Sequence, residues 1–379
     1  MIGAALALFV VTLGFGVVIP LLPSVAGDAS HAVTSFSAVF AGYNLARIAS
    51  QLPSGVWVDR AGPVTVLRVA LGLYALSLAG FLVDGGLAWF TSVRVLEGAA
   101  TGMTYPAVLA IAARGAPETM GKRIGAVVGG GSSGVLVGPL LAVVLPARGA
   151  IGVALVAALA LAGWYVAAAR DTPVEEREKR TLRGEVAALA RIGRDPAFAA
   201  LLLPLTFNKV TFSGFQALLP LWGPAVLGIG IRGVAALFGL AGLLFALVQP
   251  LAGRAADRVD ARILIVALAG PLLAVLAVLG RSDDPLTFTL LYAGYIVLTS
   301  TIFAATVKHA GKSASGSYGS VFGVVSTATD LGTIAGPILF LSLYDGARDS
   351  LFPIVAACGV PFALGFLVLA FRSPKPAKL

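Results

Sequence analysis

The chain has 379 residues, 58% of them hydrophobic and only 12% charged, with a mean hydropathy of +0.94. A soluble domain carries about twice that charged fraction, so this composition excludes a water-soluble monomer and makes a bilayer the fitting solvent. A net charge of +9 would point to nucleic acid in a soluble protein, but the cations here are sorted by loop, which explains them without a nucleic-acid partner.

A helix needs about 20 apolar residues to cross the hydrocarbon core. Twelve such runs fall near 2–22, 34–57, 64–83, 87–113, 122–145, 149–169, 197–222, 233–253, 262–280, 286–307, 315–343 and 350–371. Irregular backbone cannot face lipid, so runs this long predict spanning helices. The first lacks the basic leader of a cleaved signal and reads as a span. Between the sixth and seventh runs lies the one long polar stretch, Asp171–Pro196, with six acidic and six basic residues. Thr172-Pro-Val-Glu175 reads as a capping box with proline at the first helical position. Ala187, Ala188, Leu189 and Ile192 give one apolar side, which predicts an amphipathic linker helix on the membrane surface. The chain thus divides into a six-helix bundle (1–169), a cytoplasmic linker (170–196) and a second six-helix bundle (197–379).

Lysines and arginines divide twenty to four between the loops of the two sides, with Arg47, Arg94 and Lys209 inside spans. By the positive-inside rule both termini are cytoplasmic, in the inner or plasma membrane. The single cysteine, Cys358, excludes an intramolecular disulfide and reads as an inert buried thiol. His31 and His309 sit far apart in short loops and make no metal-ligand cluster. No nucleophile elbow, phosphate-cradling loop or histidine–carboxylate cluster is present. An enzyme, a metal and a cofactor are therefore not expected.

The chain also matches itself at an offset of 198 residues. Gly55-Val-Trp-Val-Asp59-Arg60 returns as Gly253-Arg-Ala-Ala-Asp257-Arg258, and Gly134-x-x-x-Gly138-Pro139 returns as Gly332-x-x-x-Gly336-Pro337. Two motifs about 80 residues apart keep one offset, so the whole intervening segment is duplicated. A repeat of that length in so apolar a chain points to a two-halved membrane transporter.

These motifs resemble those of the major facilitator superfamily, and within it the twelve-helix drug–proton antiporter branch. Gly55-x-x-x-Asp59-Arg60-x-Gly62 resembles the family's signature between helices two and three. Arg94-x-x-Glu97-Gly98 resembles that of helix four, where glutamine is usual at the position of Glu97. Gly134-x-x-x-Gly138-Pro139 resembles the helix-five signature of antiporters, and Gly14-Phe-Gly16-Val-Val-Ile-Pro20 the first helix of the branch. The resemblance implies an all-α membrane protein of two pseudo-symmetric six-helix bundles, acting as a monomer. It also assigns the arginine of helix four to proton coupling.

Each motif has its own physical reading. Gly55 permits close helix approach, while Asp59 caps the following turn or pairs with a neighbouring arginine such as Arg60. Such a cluster can latch one conformation; the plainer alternative is a tight hairpin with positive-inside charges. In the second copy Asp260-Ala261-Arg262 replaces the glycine-led continuation, which predicts a weaker latch around Gly253, Asp257 and Arg258. Gly134 and Gly138, with Gly332 and Gly336, allow backbone-to-backbone packing, and Pro139 and Pro337 predict kinks.

Five ionisable side chains lie at bilayer depth, where each costs at least a few kcal/mol and marks a function by default: Arg47, Arg94, Glu97, Lys209 and Asp330. Arg94 and Glu97 share a helical face at i,i+3 and form either a proton switch or a static ion pair. Asp330, with Ser326, Thr327 and Thr333, marks a polar face of the eleventh run; it is a proton carrier or a counter-ion for Lys209 or Arg47. The relatives' usual acid in helix one is missing from residues 2–22, so a moving proton falls to Asp330 or Glu97. Asn44, Arg47 and Gln51 share a face in the second run, and Asn208, Lys209 and Gln216 are near neighbours in the seventh. Tyr105, Phe212, Tyr292 and Tyr295, with Tyr43, Phe207 and Phe215, are candidate aromatic walls for a small-molecule cavity. The expected function is proton-coupled efflux of small amphipathic, drug-like compounds by alternating access. Proton-coupled or uniport transport of an organic acid, sugar or other metabolite is the alternative.

Overall fold

A computed structural model describes residues 1–18, 32–170, 194–314, 317–346 and 350–372, and the structural statements here concern those residues. The linker helix expected at 170–196, His31 and the end of the first run lie largely or wholly outside them. Thirteen α-helices are described: α1 (Ile2–Val18), α2 (Ala32–Ala61), α3 (Pro63–Gly80), α4 (Leu87–Ala113), α5 (Met120–Ser132), α6 (Gly134–Val144), α7 (Ala147–Ala167), α8 (Pro196–Val226), α9 (Ile231–Arg258), α10 (Ala261–Leu279), α11 (Pro285–Lys312), α12 (Tyr318–Gly346) and α13 (Leu351–Arg372). A short 3-10 turn, Pro117–Thr119, precedes α5.

Ten helical stretches, α5 and α6 taken together as one, are long and apolar enough to span a bilayer. The described part of the first run, α1, is shorter. The second, α2, dilutes its apolar residues with Asn44, Arg47, Ser50 and Gln51. With these two the chain has the twelve spans read from its sequence. Large apolar side chains stand on the outside of the helices, Val156 at 67%, Leu290 at 65% and Ile338 at 64% exposure, as lipid requires and water would not tolerate.

The start and stop signals are local. Gly62 adopts φ 89° before α3, a left-handed backbone that suits glycine, and Pro63 opens the helix. Before α10 a side chain does this work: the Asp260 carboxylate accepts from the Arg262 N–H at 2.8 Å. Arg68 lies in α3 and donates to the carbonyls of Tyr165 and Ala169 at the end of α7, at 2.9 and 2.6 Å.

Two expectations are corrected. Cys358 is exposed on α13, because in a lipid-embedded chain apolar neighbours do not separate core from outer face. His309 lies within α11, one turn before its end, rather than in a loop.

The chain forms two compact units. One comprises Met1–Gly115, Ala126–Val186 and Ala314–Thr327; the other comprises Ala116–Gly125, Ala187–Ser313 and Ala328–Leu379. Each therefore includes the first turns of a helix, α12 and α5 respectively, whose remainder belongs to the other.

Candidate functional site

In the first unit the site is built where α4 crosses α2. Gly98 makes the crossing possible: a Cβ there would stand 2.1 Å from the Tyr43 carbonyl oxygen, and one on Gly102 would stand 2.4 Å from that of Arg47. This approach sets the Tyr43 ring 4.4 Å from the Arg94 guanidinium carbon, with the Phe15 ring of α1 at 5.7 Å. Arg94 Nη1 donates to Glu97 Oε2 at 2.7 Å, and both side chains are fully buried. Among the described residues, Arg94 Nε and Nη2 and Glu97 Oε1 have no hydrogen-bond partner. The pair is buried and partly satisfied, an arrangement in which a proton or a ligand can change the balance.

In the second unit the corresponding helix, α11, carries Tyr292 and Tyr295 in place of Arg94 and Glu97. Both are sealed in an aromatic cluster around Phe215, whose ring lies 5.5 Å from Tyr292, 4.9 Å from Tyr295 and 5.4 Å from Phe340. Tyr295 donates to Thr211 Oγ1 at 2.8 Å, Thr211 donates to the Asn208 carbonyl at 3.0 Å, and Asn208 Nδ2 donates to the Thr299 carbonyl at 2.7 Å. This network ties α8 to α11. Lys209 is half-buried, its ammonium 5.6 Å from the Phe212 ring centre and 5.3 Å from that of Phe303. Asp330 is buried on α12, two residues before Gly332, which packs against Lys209.

The duplicated loops have a shared geometry that differs from the one expected. Asp59 reaches the start of α12, where it accepts from the N–H groups of Gly319 and Ser320 at 2.8 and 2.7 Å. Asp257 does the same at α5, accepting from Gly121 and Lys122 at 2.8 and 2.7 Å. Both carboxylates meet the unsatisfied amides and positive end of a helix distant in sequence, while Arg60 and Arg258 are exposed. Glycines bring the backbones together: a Cβ on Gly55 would stand 2.4 Å from the Gly319 carbonyl oxygen, and one on Gly253 2.1 Å from that of Gly121. The second copy has an added partner, Lys308 Nζ, 3.1 Å from Asp257. The first half has Ala110 at that position. Asp260-Ala261 ends the hairpin with a side-chain cap instead of Gly62. Burial pushes the Asp260 carboxyl up, but the Arg262 N–H and guanidinium outweigh it and hold it below the usual range.

The repeated Gly-x-x-x-Gly-Pro segments pack as expected, and each does so within one unit. Gly134 and Gly138 meet the backbone of α1 at Phe9 and Leu13; Gly332 and Gly336 meet that of α8 at Thr206 and Val210. Only the first copy is broken, and the break is at Ser133, six residues before Pro139. The second copy runs through Pro337 without interruption. The second copy lacks a counterpart of the run Gly129–Gly131, Ser132 and Ser133.

Of the predicted cavity residues, Asn44, Arg47, Tyr105, Lys209 and Phe212 are half-buried and Gln216 is exposed. Gln51, Asn208, Tyr292 and Tyr295 are buried. Sequence reasoning missed Phe15, Lys308, Gly121 and Gly319 as contact residues. The 198-residue offset pairs Gly121 with Gly319 and Gly125 with Gly323, and so carried a signal for the glycines.

Duplicated helix-capping loops, paired glycine contacts and a buried ion pair in a twelve-span chain define a two-halved membrane transporter. The Major Facilitator Superfamily sequence model matches residues 4–337, and the chain belongs to that family of multi-pass transporters of small molecules. It is 25% identical to Multidrug resistance protein 1 of Bacillus subtilis (strain 168) over an alignment of 389 residues, covering 98% of this chain and 96% of that protein. Multidrug resistance protein 2 of the same organism is 23% identical over 355 residues, covering 89% and 87%. The crystal structure of the human organic anion transporter MFSD10 (TETRAN) superposes with a TM-score of 0.82 at 19% identity, over 97% of each chain, and so shares the fold.

Proposed function

We propose that this protein exports small amphipathic compounds in exchange for protons. The observation that carries the reading is the buried, half-satisfied Arg94–Glu97 pair, a charged group at bilayer depth with no packing role that an apolar pair would not fill. The names of the two Bacillus subtilis relatives support a drug-like substrate. Protons are carried by Glu97 or Asp330, the acids at bilayer depth, and the half-buried Asn44, Arg47, Tyr105, Lys209 and Phe212 and the exposed Gln216 contact the substrate. Asp59 and Asp257 are latches, released and remade as the protein alternates between states. The protein works as a monomer in the plasma membrane with both termini cytoplasmic, the two six-helix bundles joined by the linker at 170–196.

A second reading, transport of an organic acid or other metabolite, draws on Arg47 and Lys209, half-buried cations suited to an anionic group. Cells expressing the protein should retain severalfold less ethidium than control cells, and a protonophore should remove the difference. Equal retention in both, with an organic anion moved instead, would replace the first reading by the second.

A further inference from the structure

We propose that the rings of Tyr43 and Phe15 hold the Arg94 guanidinium while Glu97 is protonated, and thereby set the pH at which the site exchanges its proton. The inference rests on the proton-coupled reading and assigns Glu97 as a proton carrier. When Glu97 takes up a proton from the open side, its negative charge is lost, and the 2.7 Å bond from Arg94 Nη1 no longer joins opposite charges. Arg94 stays positive in a fully buried site, a situation that costs several kcal/mol unless other groups replace the carboxylate.

The groups that can do so are the two ring faces. Tyr43 lies 4.4 Å and Phe15 5.7 Å from the guanidinium carbon. The rings are 5.1 Å apart and inclined at 34°, which makes them adjoining walls of one corner. A planar guanidinium stacks on such faces, and the attraction grows when water is excluded. Two contacts fix the corner. Gly98 brings the α2 backbone close at Tyr43, and the Tyr74 hydroxyl donates to the Val11 carbonyl of α1 at 2.7 Å, one turn before Phe15.

The charged and titratable groups around the corner are Arg94 and Glu97 of α4, Tyr43 and Arg47 of α2, and Tyr74 of α3. The described part of α1 brings Phe15 and no ionisable side chain. Among these groups Glu97 is the one carboxylic acid. Its neutral state leaves Arg94 and Arg47 as cations near one corner, which makes the ring faces more important in that state than in the ion pair. Tyr43 and Phe15 are positioning residues, since they act on the proton through Arg94.

The test is the pH profile of transport by purified protein in liposomes. Tyr43→Leu removes the nearer face and destabilises the protonated state, so the midpoint should fall by about 0.5–1 pH unit, the shift that a partly desolvated cation–π contact corresponds to. Phe15→Leu should shift it in the same direction by less, and Tyr43→Phe, which keeps the ring, should leave it in place. A folded Tyr43→Leu or Phe15→Leu protein with the wild-type midpoint overturns the inference; if Tyr43→Leu does not fold, the Phe15→Leu profile decides alone. Failure of the coupled reading looks different. Wild-type flux would then be indifferent to pH, or Glu97→Gln would keep the wild-type profile, and the inference would fall with it.

Discussion

Glu97→Ala is expected to lower the stability of the detergent-solubilised protein by about 3–5 kcal/mol, whereas Arg94→Met combined with Glu97→Leu should restore most of it. The single substitution leaves the Arg94 guanidinium fully buried without its carboxylate. The double substitution removes both charges and fills the crossing with apolar groups of similar size, which costs little at bilayer depth. Thermal or denaturant unfolding of the three proteins gives the comparison. The double variant should fold and transport poorly, separating the pair's cost to stability from its use in transport. If Glu97→Ala is as stable as the wild type, the pair is not isolated from solvent as described.

The second large effect is expected at Asp257. Asp257→Ala strips the acceptor from the Gly121 and Lys122 amides and leaves Lys308, 3.1 Å away, with its donation to the Ala256 carbonyl. The Lys308 side chain is only 3% exposed, so water does little to replace the carboxylate. The loss should be about 3–5 kcal/mol in the state that contains these contacts, enough to depopulate it by two orders of magnitude or more. Adding Lys308→Ala should return part of that loss by removing the stranded charge. Transport assays and melting curves on the single and double variants check this; a double variant worse than Asp257→Ala would refute the assigned ion pair.

Much of the fold was legible because the bilayer imposes few solutions. Apolar runs had to be helices, and the duplicated glycines had to mark close backbone contacts; Gly55 with Gly319 and Gly253 with Gly121 show that contact twice. What stayed hidden depends on distant partners or on which apolar surface a residue faces. Asp59 looked local, but two of its partners lie 260 and 261 residues away, because a carboxylate near an open helix start finds amides there. Cys358 looked buried but is exposed. Composition cannot tell a sealed core from a cavity or from a lipid face when all three are apolar. In the site, the Arg94–Glu97 pair was legible from i,i+3 spacing, while Phe15 and Tyr43 as its aromatic corner needed the crossing that Gly98 creates.

The central claim is that a proton gradient and substrate movement are coupled through an acid buried in the membrane. The most direct measurement is substrate flux in liposomes that carry an interior pH dye, with and without an imposed pH gradient. The account predicts that the gradient drives ethidium against its own concentration difference, that the dye reports counter-movement of protons, and that Glu97→Gln uncouples the two. Flux that ignores the gradient, or coupled flux that survives both Glu97→Gln and Asp330→Asn, would contradict it.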